Sequence, residues 1–208
     1  MAEFPIEPSK TAMLFFDTLN VYLHPEKPES RAAVEASGIV GRMQQLLEAS
    51  RAAGLSIFYG QADHRPDRRD FASLIVDAGY DDPSGGARRT EGTASHAGEW
   101  KAEIIEELAP RPEDYVIKKH RWSTFFQTHL ELSLRTAGID TIIMCGGSTE
   151  VSIASTAYSA RDRDFNLIFV RDACSSNKPG VNEFFMDRVF PGFGRVRTTE
   201  QIVQELRG

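Results

Sequence analysis

The chain has 208 residues, with 24 Lys and Arg against 30 Asp and Glu for a formal net charge of −6, and a length in the range of a single domain of roughly 100–200 residues. This acidic balance excludes the basic face that nucleic-acid binding requires, and a 41% hydrophobic content with 13 Phe excludes a disordered chain. No apolar run approaches the roughly 18 residues of a membrane span, and MAEFPIEPSK at the start has no hydrophobic signal core, so a cytoplasmic protein with no membrane or nucleic-acid partner is expected.

The first apolar run, 12–16, is continuous and stops at Asp17, followed by Thr18-Leu19-Asn20. Ile39, Val40, Met43, Leu46, Leu47 and Ala53 then share one helical stripe. A second strand-like run covers 55–59, after which Asp63-His64 and Arg65, Arg68 and Arg69 read as a solvated charge run. Residues 81–98, DDPSGGARRTEGTASHAG, are glycine-rich, polar and long for a connection; they form either a disordered excursion or a loop shaping a site or a subunit contact. A third strand at 115–117 runs into Lys118-Lys119. Phe126, Leu130 and Leu134 predict a helix that Gly138 closes.

The fourth strand, 141–145, ends at Gly146-Gly147-Ser148-Thr149-Glu150-Val151-Ser152 and opens a helix. Thr149 is its expected N-cap, and Ala154 and Ala157 are small enough for close packing on a sheet. A fifth strand at 167–170, a helix over 180–189, a sixth strand at 195–197 and a helix over 199–206 complete the pattern. Cys145 and Cys174, the two cysteines, lie in or just after apolar runs and read as buried free thiols. Runs that are apolar on both sides of the pleat, alternating with helices, predict one α/β domain over 1–208. Its central sheet is expected to be mostly parallel, with about six strands covered by helices on both faces.

In such sheets ligands bind outside the carboxyl ends of the strands. That edge collects Asp17, Lys118 or Lys119, and the 146–152 turn with Ser152. Singly, each has a bland reading: Asp17 as a turn cap, the lysines as solvated strand ends, Ser152 as an ordinary first-turn residue. Together, D-x-x-N after the first strand, K-x-x-W-S-x-F-F-x-T-x-L before a helix, and G-G-S-T-E-V-S-I-A-S-T-A resemble the isochorismatase-like hydrolase superfamily, which includes nicotinamidases, amidohydrolases of N-carbamoylsarcosine and ureidoacrylate, and isochorismatases. The likeness spans roughly residues 10–175, and 114–176 is its most specific part.

The resemblance implies a Rossmann-like three-layer fold and an Asp-Lys-Cys site, carried here by Asp17, Lys119 and Ser152. Lys119 is preferred to Lys118 because it directly precedes His120-Arg121-Trp122-Ser123. It also implies a cis peptide at Gly147–Ser148 and an oxyanion hole from the amides of Ser148 and Ser152. Asn20, Tyr22, Trp122 and Phe125 are the candidate substrate contacts. The departure is the serine. A cysteine at a helix start beside a lysine would supply a ready thiolate, whereas a hydroxyl needs a base during attack, and Asp17 is the carboxylate at hand.

Three explanations of Ser152 stand: an engineered Cys→Ser change, a native residue in an enzyme that cleaves a vinyl ether with Asp17 as acid, or a non-catalytic or unusual serine relative. Nicotinamidase relatives hold zinc through D-x-H and a second His. Here Asp63 and His64 are adjacent, and the five histidines form no close pair. No metal and no cofactor are therefore expected. The sequence reading is a hydrolase of a small-molecule amide or ureido C–N bond, with isochorismatase-type ether cleavage as the alternative. By resemblance it forms a dimer or tetramer, with 81–98 as the candidate contact.

Overall fold

The structure, a computed structural model, describes residues 4–67, 69–71, 74–76, 88–90 and 97–207. Its strands are β1 Thr11–Phe16, β2 Ser56–Ala62, β3 Leu74–Val76, β4 Arg88–Thr90, β5 Tyr115–Lys119, β6 Thr141–Gly147, β7 Asn166–Ser175 and β8 Arg195–Arg197. Its α-helices are α1 Asn20–Leu23, α2 Pro28–Ser37, α3 Ile39–Ala52, α4 Leu130–Thr136, α5 Ala154–Arg161, α6 Val181–Phe184 and α7 Thr199–Arg207. Six strands form one sheet in the order β5-β2-β1-β6-β7-β8, while β3 and β4 pair separately. Every pairing in the large sheet is parallel. None of the described helices is long and apolar enough to cross a membrane.

The chain builds outward from β1 in one direction through β2 and β5, then returns and builds the other way through β6, β7 and β8. Right-handed crossovers then place α3 and α5 on opposite faces, and the reversal leaves a crevice at the carboxyl ends of β1 and β6. Burial on both faces explains the uninterrupted apolar sequence of the central strands: every residue of β1 is buried, as is β6 from Thr141 to Gly146. The α3 stripe buries Ile39, Met43, Leu46 and Leu47, and Ala154, Ala157 and Ala160 let α5 lie close on the sheet.

Three expectations change. The helix expected to include Phe126 begins only at Leu130, because Gln127 takes a φ of 54° that a right-handed helix does not admit. Phe126 is therefore exposed, and its neighbour Phe125 takes the buried place. Thr149 is not an N-cap. It opens a five-residue π-helical turn, Thr149–Ile153, and its hydroxyl lies 3.0 Å from the Ser175 carbonyl and 2.8 Å from Asn182 Oδ1. Strand β7 continues through 171–175, since the register slips between the Met144–Phe169 and Gly146–Cys174 pairs and the extra residues bulge. Cys145 and Cys174 are free and buried, and burial pushes both thiols up. Of the segment 81–98, all but 88–90 and 97–98 lies outside the described residues.

Phe16 pairs with Gly60 on one side and Gly146 on the other. Gly146 has a φ of 117°, and a Cβ there would stand 2.2 Å from the Phe16 carbonyl oxygen. Gly146→Ala should lower stability to urea by about 3 kcal/mol through strain and overlap. Gly41→Ala, in α3 with nothing within 4 Å of the added carbon, should raise it by roughly 0.5–1 kcal/mol.

Candidate active site

Asp17 follows β1 with a φ of 46°, a left-handed conformation that Asp tolerates better than most residues. This kink ends β1 and sends the carboxylate toward β2. The Asp17 amide donates to the Gly60 carbonyl (2.9 Å), and Oδ1 accepts the Ala62 amide (2.9 Å). Oδ2 accepts two further bonds, from Lys119 Nζ at 2.8 Å and from Ser152 Oγ at 2.8 Å. Asp17, Lys119 and Ser152 are 7%, 3% and 6% exposed, so the three groups meet out of water.

Each partner arrives for a local reason. Successive residues of a strand face opposite ways, so at the end of β5 Lys118 turns outward to Asp63 (3.3 Å) with its side chain 59% exposed, and Lys119 turns inward to Asp17. Ser152 is carried by the π-helical turn between β6 and α5. The amides of Val151 (3.3 Å) and Ile153 (3.2 Å) both turn back to the Ser148 carbonyl, and that of Ser152 does not. Such single-turn widenings recur at functional sites. The Gly147–Ser148 peptide is cis.

The four candidate substrate contacts lie in different settings. Asn20 is buried; its side-chain amide donates to the Trp100 carbonyl (2.9 Å) and its backbone amide to the Glu103 carbonyl (3.0 Å). It lines a cavity of about 520 Å³ together with His24, Trp100, Glu103 and Glu107. Tyr22 is partly exposed and Trp122 is 64% exposed. Phe125 packs against Phe165 with the Arg163 guanidinium over its ring. A second cavity, of about 640 Å³, lies by β8 among Arg171, Arg195 and Arg197 and includes none of the residues that meet at Asp17. One feature near Ser152 had no signal in the sequence: Glu150 Oε2 is buried without a hydrogen-bond partner.

Chemically, the cluster offers a hydroxyl already donating to a carboxylate, a compensating ammonium on the same oxygen, and a backbone turn with an amide at the hydroxyl-bearing residue. These are the parts of nucleophilic acyl transfer.

Residues 11–201 match the Isochorismatase domain family. Among relatives, the isochorismatase family protein YecD of Escherichia coli O157:H7 is 32% identical over 171 residues, covering 82% of this chain and 85% of its own. The N-carbamoylsarcosine amidase of an Arthrobacter species is 29% identical over 198 residues, covering 95% of this chain and 72% of its own. A cysteine hydrolase from Pseudomonas syringae pv. phaseolicola superposes with a TM-score of 0.77 at 26% identity, covering 100% of this chain and 99% of its own.

Removing the buried ammonium leaves an unpaired carboxylate, so Lys119→Met should cost about 3–5 kcal/mol of stability. Lys118→Met should cost far less, no more than about 1 kcal/mol, because the Lys118 side chain itself stands largely in solvent. Urea denaturation of the two variants side by side checks the difference.

Proposed function

The chain belongs to the isochorismatase family and is a hydrolase, and on that footing we propose that it cleaves the C–N bond of a small amide or ureido compound with Ser152 as nucleophile. The observation that carries this reading is the sharing of Asp17 Oδ2 between Ser152 Oγ and Lys119 Nζ, each at 2.8 Å. As Ser152 Oγ attacks the carbonyl carbon, its proton passes to Asp17 Oδ2. The oxyanion that forms takes the amides of Ser148 and Ser152. Asp17 then returns the proton to the departing nitrogen, the C–N bond breaks, and the acyl or carbamoyl group stays on Ser152. Water attacks this ester with Asp17 again as base, releasing the acid and restoring the hydroxyl.

Lys119 offsets the charge of Asp17 throughout. A thiolate could be formed before substrate arrives, whereas a hydroxyl must lose its proton during attack, and the Ser152–Asp17 hydrogen bond suits that requirement. The amidase activity in the name of the Arthrobacter relative supports the C–N assignment.

The serine itself favours a second reading, vinyl-ether cleavage in which Asp17 protonates the substrate, water attacks and Ser152 takes no part. We also propose a dimer or tetramer, for which the exposed Trp122, Phe126, Leu132 and Tyr158 are candidate apolar contacts; light scattering that finds only monomer across a wide concentration range rejects it.

On a panel of small amides, ureido compounds and vinyl ethers, Ser152→Ala and Asp17→Asn should each lower kcat/KM for C–N cleavage by at least about 10³-fold. Asn tolerates the left-handed φ of position 17, so that variant should fold. Amide cleavage by Ser152→Cys alone would identify the serine as an inactivating replacement. Vinyl-ether turnover that survives Ser152→Ala would establish the second reading, and full activity of Asp17→Asn would refute both.

A further inference from the structure

We infer that the cavity beside β8 binds the phosphate group of a small phosphorylated organic molecule, at a site separate from Asp17, Lys119 and Ser152. This cavity of about 640 Å³ is lined by Arg171, Arg195 and Arg197, and β8 is the outer strand of the sheet, next to β7. Side chains two positions apart on a strand leave by the same face, so Arg195 and Arg197 are sent to one side of β8. Val170 of β7 pairs with Arg197, and the residue after it, Arg171, brings a third guanidinium to the same hollow. An acidic chain of net charge −6 thus gathers three permanent positive charges in one place.

The protein itself balances one of these charges. Asp187 lines the cavity, and Arg171 Nη2 already donates to its Oδ1 at 2.5 Å. Arg195 and Arg197 are partly buried and donate to main-chain carbonyls, Arg195 Nη1 to Phe4 (2.7 Å) and Arg197 Nη1 to Val196 (2.9 Å). Among the described residues, Arg171–Asp187 is the one ion pair that the three arginines make. Burial opposes the Arg195 charge; Glu205 offsets part of this and Arg197 adds to it. Arginine does not lose its proton in proteins, so relief has to come from an anion. Two unbalanced guanidinium charges match a phosphate monoester, which carries about −1.5 to −2 at pH 7 and accepts the paired N–H groups of arginine. Thr198 and Gln201 line the same hollow and cap each other: the Thr198 amide donates to Gln201 Oε1 (2.9 Å) and the Gln201 amide to Thr198 Oγ1 (3.2 Å). That leaves the Thr198 hydroxyl hydrogen and the Gln201 Nε2 hydrogens for a ligand. The volume exceeds a phosphate group and falls in the range of roughly 300–1,000 Å³ that holds small organic ligands, and Pro191 and Val196 supply apolar wall for the organic part.

Calorimetric titration of the full chain in a phosphate-free, low-salt buffer tests this with three probes: phenyl phosphate, inorganic phosphate and benzoate. Phenyl phosphate should bind with one equivalent per chain, at least about tenfold more tightly than either of the others, and should raise the melting temperature. Arg195→Gln and Arg197→Gln should each weaken its binding by at least about tenfold. Arg31→Gln, which removes an exposed arginine of α2, and Ser152→Ala should leave it unchanged. The Arg197 hydrogen bond reaches only the neighbouring carbonyl, so Arg197→Gln decides the matter if Arg195→Gln fails to fold. The proposal is overturned by the absence of saturation at millimolar phenyl phosphate, by undiminished binding to Arg197→Gln, or by equal binding of benzoate or inorganic phosphate. Equal loss in Arg31→Gln or in Ser152→Ala overturns it as well, the first pointing to general charge and the second to the Ser152 site.

Discussion

One oxygen atom, Asp17 Oδ2, organises the active edge of this protein. It receives the Lys119 ammonium and the Ser152 hydroxyl, so the ends of β5 and β6 are joined through the residue that follows β1. None of the three groups is well placed in water-free surroundings alone. A buried carboxylate or ammonium without a partner carries a large desolvation cost, and each position is therefore conditional on the others. The second oxygen is held by the Ala62 amide, so the carboxylate cannot rotate away from its two donors. A carboxylate with a fixed orientation and a compensated charge follows from this arrangement.

The backbone around Asp17 is shaped to permit it. A left-handed residue ends β1 beyond Phe16, which pairs with Gly146, whose missing side chain leaves room for the Phe16 backbone, and with Gly60, whose missing side chain leaves room for Thr124. On the far side, the π-helical turn widens the start of α5 at the residue that carries the hydroxyl. Thr149, at the base of that turn, is tied to Ser175 and Asn182, which links the turn to the extended end of β7. The same edge brings His64 and His120 together a short way along the sheet. Chemistry gathers there because a parallel sheet sends every strand end, and the loop after it, to one side.

Much of this was legible in the residues. Strands buried on both faces must be continuously apolar, so β1, β2, β6 and β7 stand out as runs, and α3 as a stripe at helical spacing. Asp17, Lys119 and Ser152 each follow or end such an element, which is why they can be singled out before any coordinates. Other features were not visible. Phe126 fits a helical stripe with Leu130 and Leu134, yet Gln127 turns left-handed and swaps it for Phe125. Thr149 has the chemistry of an N-cap but meets the carbonyl of Ser175 from a different strand. The bulge that prolongs β7 depends on pairing with β6, and nothing within 171–175 announces it.

The sequence by itself determined the kinds and order of the elements, because hydrophobic periodicity, glycine stops and strand-end polar residues act over a few neighbouring positions. It also determined the family, since the D-x-x-N, lysine and G-G-S-T-E-V-S segments are local strings. The tertiary structure alone decided which distant groups touch. The resemblance favours Lys119 over Lys118, but that Lys119 is the one to reach Asp17 depends on the phase of the pleat relative to the sheet. Whether His64 meets His120 depends on β2 and β5 being neighbours. Both are set by strand order and register, which arise from packing the whole chain into one sheet and have no representation in any short stretch of residues.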